Sequence, residues 1–348
     1  MSPKKGRGTA SNPANRFETL WITDVQEHPD DPAPRTHFLR DDSRSIISYN
    51  DSDDVPFEAS INPYRGCEHG CVYCYARPKH EFLGFSAGLD FETRIVVKEN
   101  APELLEKELL SPKWKAQTIA LSGNTDAYQP GERKLQITRR CLEVLARFRN
   151  PVGVITKNNL VTRDVDLLGE LASFQAVSVF LSITTLDAEL ARVLEPRTSH
   201  PGKRLEAIRK LSDAGIPCGV MTAPVIPGLT DQEIPAIVSA AVEAGAQYAG
   251  FVVLRLPGAV EELFAEWLED HLPDRKNRVL NRIRSLRGGD LHESRISSRM
   301  RGEGIFAEQI QQLHQLACRD AGIAGNRPEL ETKHFRRPGG TQLDLFEE

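Results

Sequence analysis

Three of the chain's six cysteines, Cys67, Cys71 and Cys74, fall within the stretch CEHGCVYC, in the pattern C-x3-C-x2-C. Thiolates this close can pair as disulfides, hold zinc or hold an iron–sulfur cluster. The opening segment MSPKKGRGTASNPANRF carries basic residues with no apolar stretch behind them, so it does not read as a secretory signal. A cytoplasmic, reducing compartment is therefore expected, and disulfides are disfavoured there. A structural zinc site takes four protein ligands. His69 lies between two of the cysteines, poorly placed to complete a tetrahedron, and Cys141, Cys218 and Cys318 stand alone. Three thiolates without a fourth suit a [4Fe–4S] cluster with one iron left open to another ligand. Gly66 and Gly70 let the backbone turn tightly around such a group, and Tyr73 would shield one side. A zinc or purely structural site remains the alternative.

The elements that position this loop follow from hydrophobic patterning. From Phe57 onward strands and helices alternate: FEASI, TRIVVK, TIALSG, VGVIT, AVSVFLSITT, CGVMTAPVI and YAGFVVLRL read as strands, separated by amphipathic helices such as RKLQITRRCLEVLARF. Several strands are almost wholly apolar, as expected of parallel strands covered on both faces. Such alternation implies an α/β fold with a parallel sheet. Seven strands suit a partial or full (β/α) barrel better than a dinucleotide-binding fold, and no GxGxxG follows the first strand. In barrels the working groups sit at the C-terminal strand ends. The cysteine loop, SGNTD, TK, SITT and APVIPGLTD all fall there, so five polar strand ends should converge on one mouth.

The cysteine spacing, with an aromatic residue before the last cysteine, resembles the radical S-adenosylmethionine (SAM) superfamily. NPYRGCEHGCVYCYARP, SGNTDAYQPGE, LEPRT and APVIPGLTD together resemble its spore photoproduct lyase-like branch, over roughly residues 57–256. The resemblance implies that Cys67, Cys71 and Cys74 ligate a [4Fe–4S] cluster whose open iron chelates SAM. It also implies that an external electron donor triggers cleavage to methionine and a 5′-deoxyadenosyl radical. Ser122, Asn124 and Asp126 would lie near the SAM amine, where a carboxylate pairs with an ammonium. Lys157 and Ser182 would hold its carboxylate and ribose, and Arg197 would act as a carboxylate clamp. Val225 and Ile226 would pack against adenine. The branch's lyase reverses a thymine lesion in DNA using a further cysteine as hydrogen donor. Cys141 and Cys218 do not sit at a strand-end mouth in this pattern, which counts against that reaction. Tyr64, Tyr75 or Tyr128 could carry a radical instead, although tyrosines near a mouth are usually packing.

Around this core, residues 1–54 read as mostly irregular with a disordered basic start, 55–258 as the barrel, 259–335 as a helical basic extension and 336–348 as a flexible tail. Between His271 and Gly304 there are nine basic residues against four acidic ones. Arg275, Arg278, Arg282 and Arg287 would share a broad helix side, either a solvated face or a surface that tracks phosphates. The tail peptide QLDLF, from Gln342 through Leu345 to Phe346, resembles the segment by which bacterial DNA polymerases and repair factors dock on the sliding clamp. No apolar run is long enough to span a bilayer, so no membrane contact is expected. The reading is a radical SAM enzyme acting on nucleic acid, with DNA repair favoured. Radical modification of RNA or protein, or a non-catalytic iron–sulfur sensor that binds DNA or the clamp, are the alternatives.

Overall fold

The structure is a computed structural model that describes residues 4, 6–17, 34–292, 294–296, 298–323 and 327–338. Two short strands, β1 (His37–Arg40) and β2 (Ile47–Tyr49), precede β3 (Ala59–Ile61) and β4 (Tyr64–Arg65). The cysteine loop and a 3₁₀ turn at Arg77–Leu83 lead to α1 (Leu89–Thr93), β5 (Arg94–Val97) and α2 (Ala101–Leu110), whose first turn holds a proline. Next come β6 (Ile119–Leu121), α3 (Glu132–Leu135), α4 (Ile137–Phe148), β7 (Val152–Thr156), α5 (Val165–Ala172) and β8 (Val177–Ser182). The barrel part ends with α6 (Ala188–Leu194), α7 (Pro201–Asp213), β9 (Cys218–Val225), α8 (Ile234–Glu243) and β10 (Tyr248–Val253). Three helices follow: α9 (Val260–His271), α10 (Pro273–Leu286) and α11 (Ile305–Asp320).

The main sheet has seven strands in the order β10-β9-β8-β7-β6-β3-β2. Neighbours from β3 to β10 run parallel, and β2 is antiparallel at the edge. β10 and β2 stay as edges, so the barrel is partial. All six residues of β8 are buried, because helices cover one face and the interior of the curved sheet covers the other.

Three expectations change. TRIVVK is a strand, β5, but not a barrel strand: it pairs with β1 and β4 in a separate three-stranded sheet, leaving β3 beside β6. The segment read as irregular supplies β1 and β2. The helix RKLQITRRCLEVLARF is broken at Gln136, whose left-handed φ of 52° separates α3 from α4.

Outside the sheet, two segments are tied down by polar contacts. Residues 6–17 form no helix or strand but lie across the cysteine loop: Thr9 is 4% exposed, and a Cβ at Gly8 would overlap the Gly70 carbonyl. Residues 327–338 cross the N-terminal ends of the strands. There Glu331 N–H donates to Gln175 O at 3.0 Å and Arg336 N–H to Phe148 O at 2.9 Å. The Arg337 guanidinium donates to the carbonyls of Leu109, Ser111 and Trp114. The QLDLF peptide lies outside the described residues. Among those residues, no helix is long and apolar enough to cross a membrane.

Candidate active site

The cysteine loop leaves β4 at the C-terminal side of β3 and turns at Gly66 (φ 80°) and Gly70 (φ 66°), both left-handed. Its base is a buried ion pair. The Arg77 guanidinium donates to the Cys71 carbonyl through Nε at 3.0 Å and Nη2 at 2.9 Å, and Nη2 meets Glu92 Oε1 at 2.6 Å. Glu92 also accepts from the N–H groups of Gly8 at 3.0 Å and Thr9 at 3.1 Å. A side of the loop packs against the C-terminal helices: Cys71, Val72 and Tyr73 share an apolar cluster with Ile226, Phe264, Trp267 and Ile283. The 259–286 region thus forms one wall of the site.

Cys67 and Cys71 are buried and Cys74 is partly so. Burial pushes all three thiols up; Asp126 raises Cys67 further and Glu195 raises Cys71 further, with Cys74 adding to both. Among the described residues, no set of three or more Cys, His, Asp or Glu donors converges as a single-ion site. Three thiols on one tight loop, with Cys141, Cys218 and Cys318 in other elements, fit a [4Fe–4S] cluster with one open iron better than a four-ligand zinc site.

Facing the loop, the ends of β6 and β7 meet at Asp126. Its carboxylate accepts from Thr156 Oγ1 at 2.7 Å and from the Lys157 N–H at 2.8 Å, and stands 3.3 Å from His69 Nδ1. Burial alone would raise this carboxyl, but His69 and the hydrogen-bond donors prevail and hold it below the usual range. Asn158 fixes the tautomer of His69. Its Oδ1 accepts from the Leu160 N–H at 3.0 Å, which turns its Nδ2 donor toward His69 Nε2 at 3.2 Å. Nε2 then accepts from Asn158, and Nδ1 donates to Asp126.

A second network joins the loop to β7, β8 and β9. Glu195, 2% exposed, accepts from the Tyr73 hydroxyl, from Thr184 Oγ1 at 2.6 Å, from Lys157 Nζ at 2.9 Å and from Arg204 Nη2 at 2.5 Å. Burial opposes its charge, but Arg204 and then Lys157 depress its pKa strongly. Arg204 also donates to the Ser182 carbonyl at 2.8 Å. The cysteine loop is therefore cross-braced to three strand ends.

The residues singled out from sequence are distributed unevenly. Asp126, Lys157 and Ser182 come together at adjoining strand ends, with Lys157 Nζ held by Glu195, Thr184 and the Ala223 carbonyl. Ser122, at φ 81°, accepts the Ala127 N–H on its Oγ at 2.8 Å, and Asn124 Oδ1 accepts from Lys79. Arg197 pairs with Glu68 at 3.1 Å and Thr36 at 3.2 Å. Val225 and Ile226, 2% and 0% exposed, are enclosed in two different apolar clusters. Arg287 is not on a helix face: it follows α10, is buried, and donates to the carbonyls of Ser298 and Leu254. Cys141 and Cys218 are fully buried, and Cys218 Sγ donates to Ile208 O at the N-terminal end of β9. Tyr64 and Tyr128 are buried, whereas Tyr75 is 41% exposed and donates to the Gly123 carbonyl at 2.6 Å. Glu195 stands in LEPRT two residues before Arg197, and no sequence signal marks it out.

The sequence-family model described as "Radical SAM superfamily" matches residues 61–241, more than half of the chain. An uncharacterized protein of Mycobacterium tuberculosis (strain H37Rv) is 39% identical over 226 residues, covering 64% of this chain and 66%, just under two thirds, of that relative. An uncharacterized protein of Methanocaldococcus jannaschii is 30% identical over 222 residues, covering 64% of this chain and 79% of the relative. A solved spore photoproduct lyase variant with bound AdoMet and dinucleoside spore photoproduct superposes with a TM-score of 0.57 at 15% identity. That match covers 84% of this chain and 82% of the lyase; at such identity it speaks to the fold. With the fold, the buried three-cysteine loop and the family match in agreement, the chain belongs to the radical SAM superfamily of enzymes, which use a [4Fe–4S] cluster and SAM.

Proposed function

We propose that this radical SAM enzyme acts on nucleic acid, with DNA carrying a base lesion as the favoured substrate. In this reading Cys67, Cys71 and Cys74 hold the [4Fe–4S] cluster. Asp126, Lys157 and Ser182 line the SAM site, with Ser122 and Asn124 beside them. When bound, the cluster and SAM supply a 5′-deoxyadenosyl radical that abstracts a hydrogen atom from substrate. The chain's own residues orient and seal. Arg77 fixes the loop through the Cys71 carbonyl, the Glu195 network sets the distance between loop and strand ends, and the C-terminal helices keep water from one side.

The observation that carries the substrate class is the basic wall beside the mouth. Arg275 and Arg278 are exposed on α10, and the side chains of Arg278 and Arg282 flank Gly228 in the loop after β9. Each cation that meets a phosphate releases counterions, a gain that favours a polyanion. A duplex base would have to leave the stack to reach the strand ends. The solved lyase of similar fold carries a dinucleoside photoproduct, which points the same way. This chain differs in having no cysteine outside the loop at the mouth among the described residues, so a different hydrogen donor or a different lesion is implied. Docking of residues 342–346 on a sliding clamp belongs to the same proposal. Residues 327–338, the last described before them, are fastened at the N-terminal ends of the strands.

The test is 5′-deoxyadenosine formation by the reduced, cluster-loaded enzyme with ultraviolet-irradiated DNA, undamaged DNA, RNA or no nucleic acid. Stimulation by irradiated DNA, with loss of the lesion, supports the proposal. Equal turnover in all four overturns it.

A further inference from the structure

The opening of the partial barrel holds two cations, Arg255 and Lys79, whose direct partners are uncharged. Because the sheet ends at β10 on one side and at β3 and β2 on the other, the chain after β10 faces the chain after β3 and β6 across a gap. Tyr75, the residue after Cys74, lies in that gap with its hydroxyl on the Gly123 carbonyl and the Arg255 guanidinium 5.4 Å from its ring centre. Lys79, one turn further on, reaches Asn124 Oδ1.

Among the described residues, neither cation has a carboxylate in ion-pair contact. Arg255 Nε is buried with no hydrogen-bond partner, and Nη1 meets the thioether of Met300 at 3.5 Å, a weak acceptor. Asp54 is close enough to favour the Arg255 charge, but Arg299 already holds it in a fork at 2.6 and 2.5 Å. Lys79 has an amide oxygen for its partner where a carboxylate would serve better. Burial and then the charge of Arg299 lower the Arg255 pKa; Lys79 is solvent-exposed, and the nearby Arg255 charge disfavours its own. A buried guanidinium nitrogen without an acceptor is costly, and an incoming anion with several oxygens would remove that cost.

We infer that Lys79 and Arg255 clamp one phosphodiester of the substrate in the barrel opening, fixing which nucleotide faces Cys74. This rests on the nucleic-acid reading and sharpens it to one contact. A phosphodiester suits the place because it offers two charged oxygens to two donors that approach from opposite sides of the gap. The guanidinium can present its idle Nε together with a second nitrogen in a fork. The α10 arginines would track the strand outside, and this pair would set its register.

The experiment uses the full-length, cluster-loaded protein and a fluorescently labelled oligothymidylate, with binding read by anisotropy across a salt series. SAM binding is measured in parallel. The variants are Arg255→Gln, Lys79→Gln and the pair together. A second oligomer with one methylphosphonate linkage, neutral at that position, probes the contact without altering the protein. The expected result is about tenfold weaker binding by the double variant and a log–log salt slope shallower by ~0.7, the share of one phosphate on a single strand. The neutral linkage should weaken wild type and cost the double variant nothing more, with SAM affinity unchanged. If wild type binds the oligomer and the variants match it in affinity and slope, the clamp is refuted while the nucleic-acid reading stands. If wild type binds neither DNA nor RNA, that reading falls and the clamp with it. If the variants lose SAM and keep the oligomer, the cations serve the cofactor and the inference is wrong.

Discussion

Glu195 is the residue on which the geometry of the site depends most. One carboxylate gathers a lysine, an arginine, a threonine and the tyrosine that precedes Cys74. Removing its charge leaves Lys157 and Arg204 facing each other without compensation. Glu195→Gln should therefore cost ~3–5 kcal/mol of stability, the usual penalty for stripping one partner from a buried pair. Denaturant unfolding measures it, and a loss under ~1 kcal/mol would mean that the network relaxes freely. The sign of the pH effect follows from the depressed pKa. The contribution is fully present above the unfolded value of about 4.3 and fades as pH falls through the folded value. Acid unfolding of wild type should be steeper below about pH 4.5 than that of Glu195→Gln; parallel curves would refute this. The sequence displayed Glu195 inside LEPRT but gave no sign of its role. That role depends on Thr184, Lys157 and Arg204 arriving from three other segments. Asp126 was legible because a carboxylate just past a strand end has a position that the barrel pattern itself assigns.

Among the elements, the strap formed by residues 6–17 has the clearest consequence. Its polar composition reads as a solvated tail, and periodicity carries no signal for a segment held by a buried carboxylate 83 residues away. Gly8 is the point of closest approach to the cysteine loop. Gly8→Val should lift the strap, and trypsin should then cut after Arg16 several times faster while the barrel stays intact. An unchanged rate, followed by gel, would show that the strap does not depend on that contact. The β5 misplacement has a similar origin. Strand propensity marks TRIVVK as a strand, but sheet membership is decided by the pairing partner, and β1 lies in a stretch without a visible pattern. The six parallel strands of the barrel were legible because burial on both faces leaves near-continuous apolar runs.

For the whole molecule, the mouth and the segment at 327–338 lie at opposite ends of the strands. The C-terminal helices wall the cysteine loop, and the segment at 327–338 then returns to the far face. Deleting residues 342–348 should abolish binding to a bacterial sliding clamp, measured by surface plasmon resonance, without changing SAM cleavage. Clamp binding that survives the deletion would remove that partner. The helical C-terminal region could be read from sequence; its packing against Cys71 and Tyr73 could not, because apolar helix faces do not name their targets.

The central claim is that Cys67, Cys71 and Cys74 make this chain a radical SAM catalyst. The most direct measurement is anaerobic reconstitution with iron and sulfide, reduction in the presence of SAM, and quantitation of 5′-deoxyadenosine for wild type and Cys71→Ala. The account predicts iron–sulfur absorption and 5′-deoxyadenosine from wild type, and loss of the product in the variant. A wild-type protein that takes up no cluster under conditions that load a control enzyme, or a Cys71→Ala variant that cleaves SAM as fast as wild type, would contradict it.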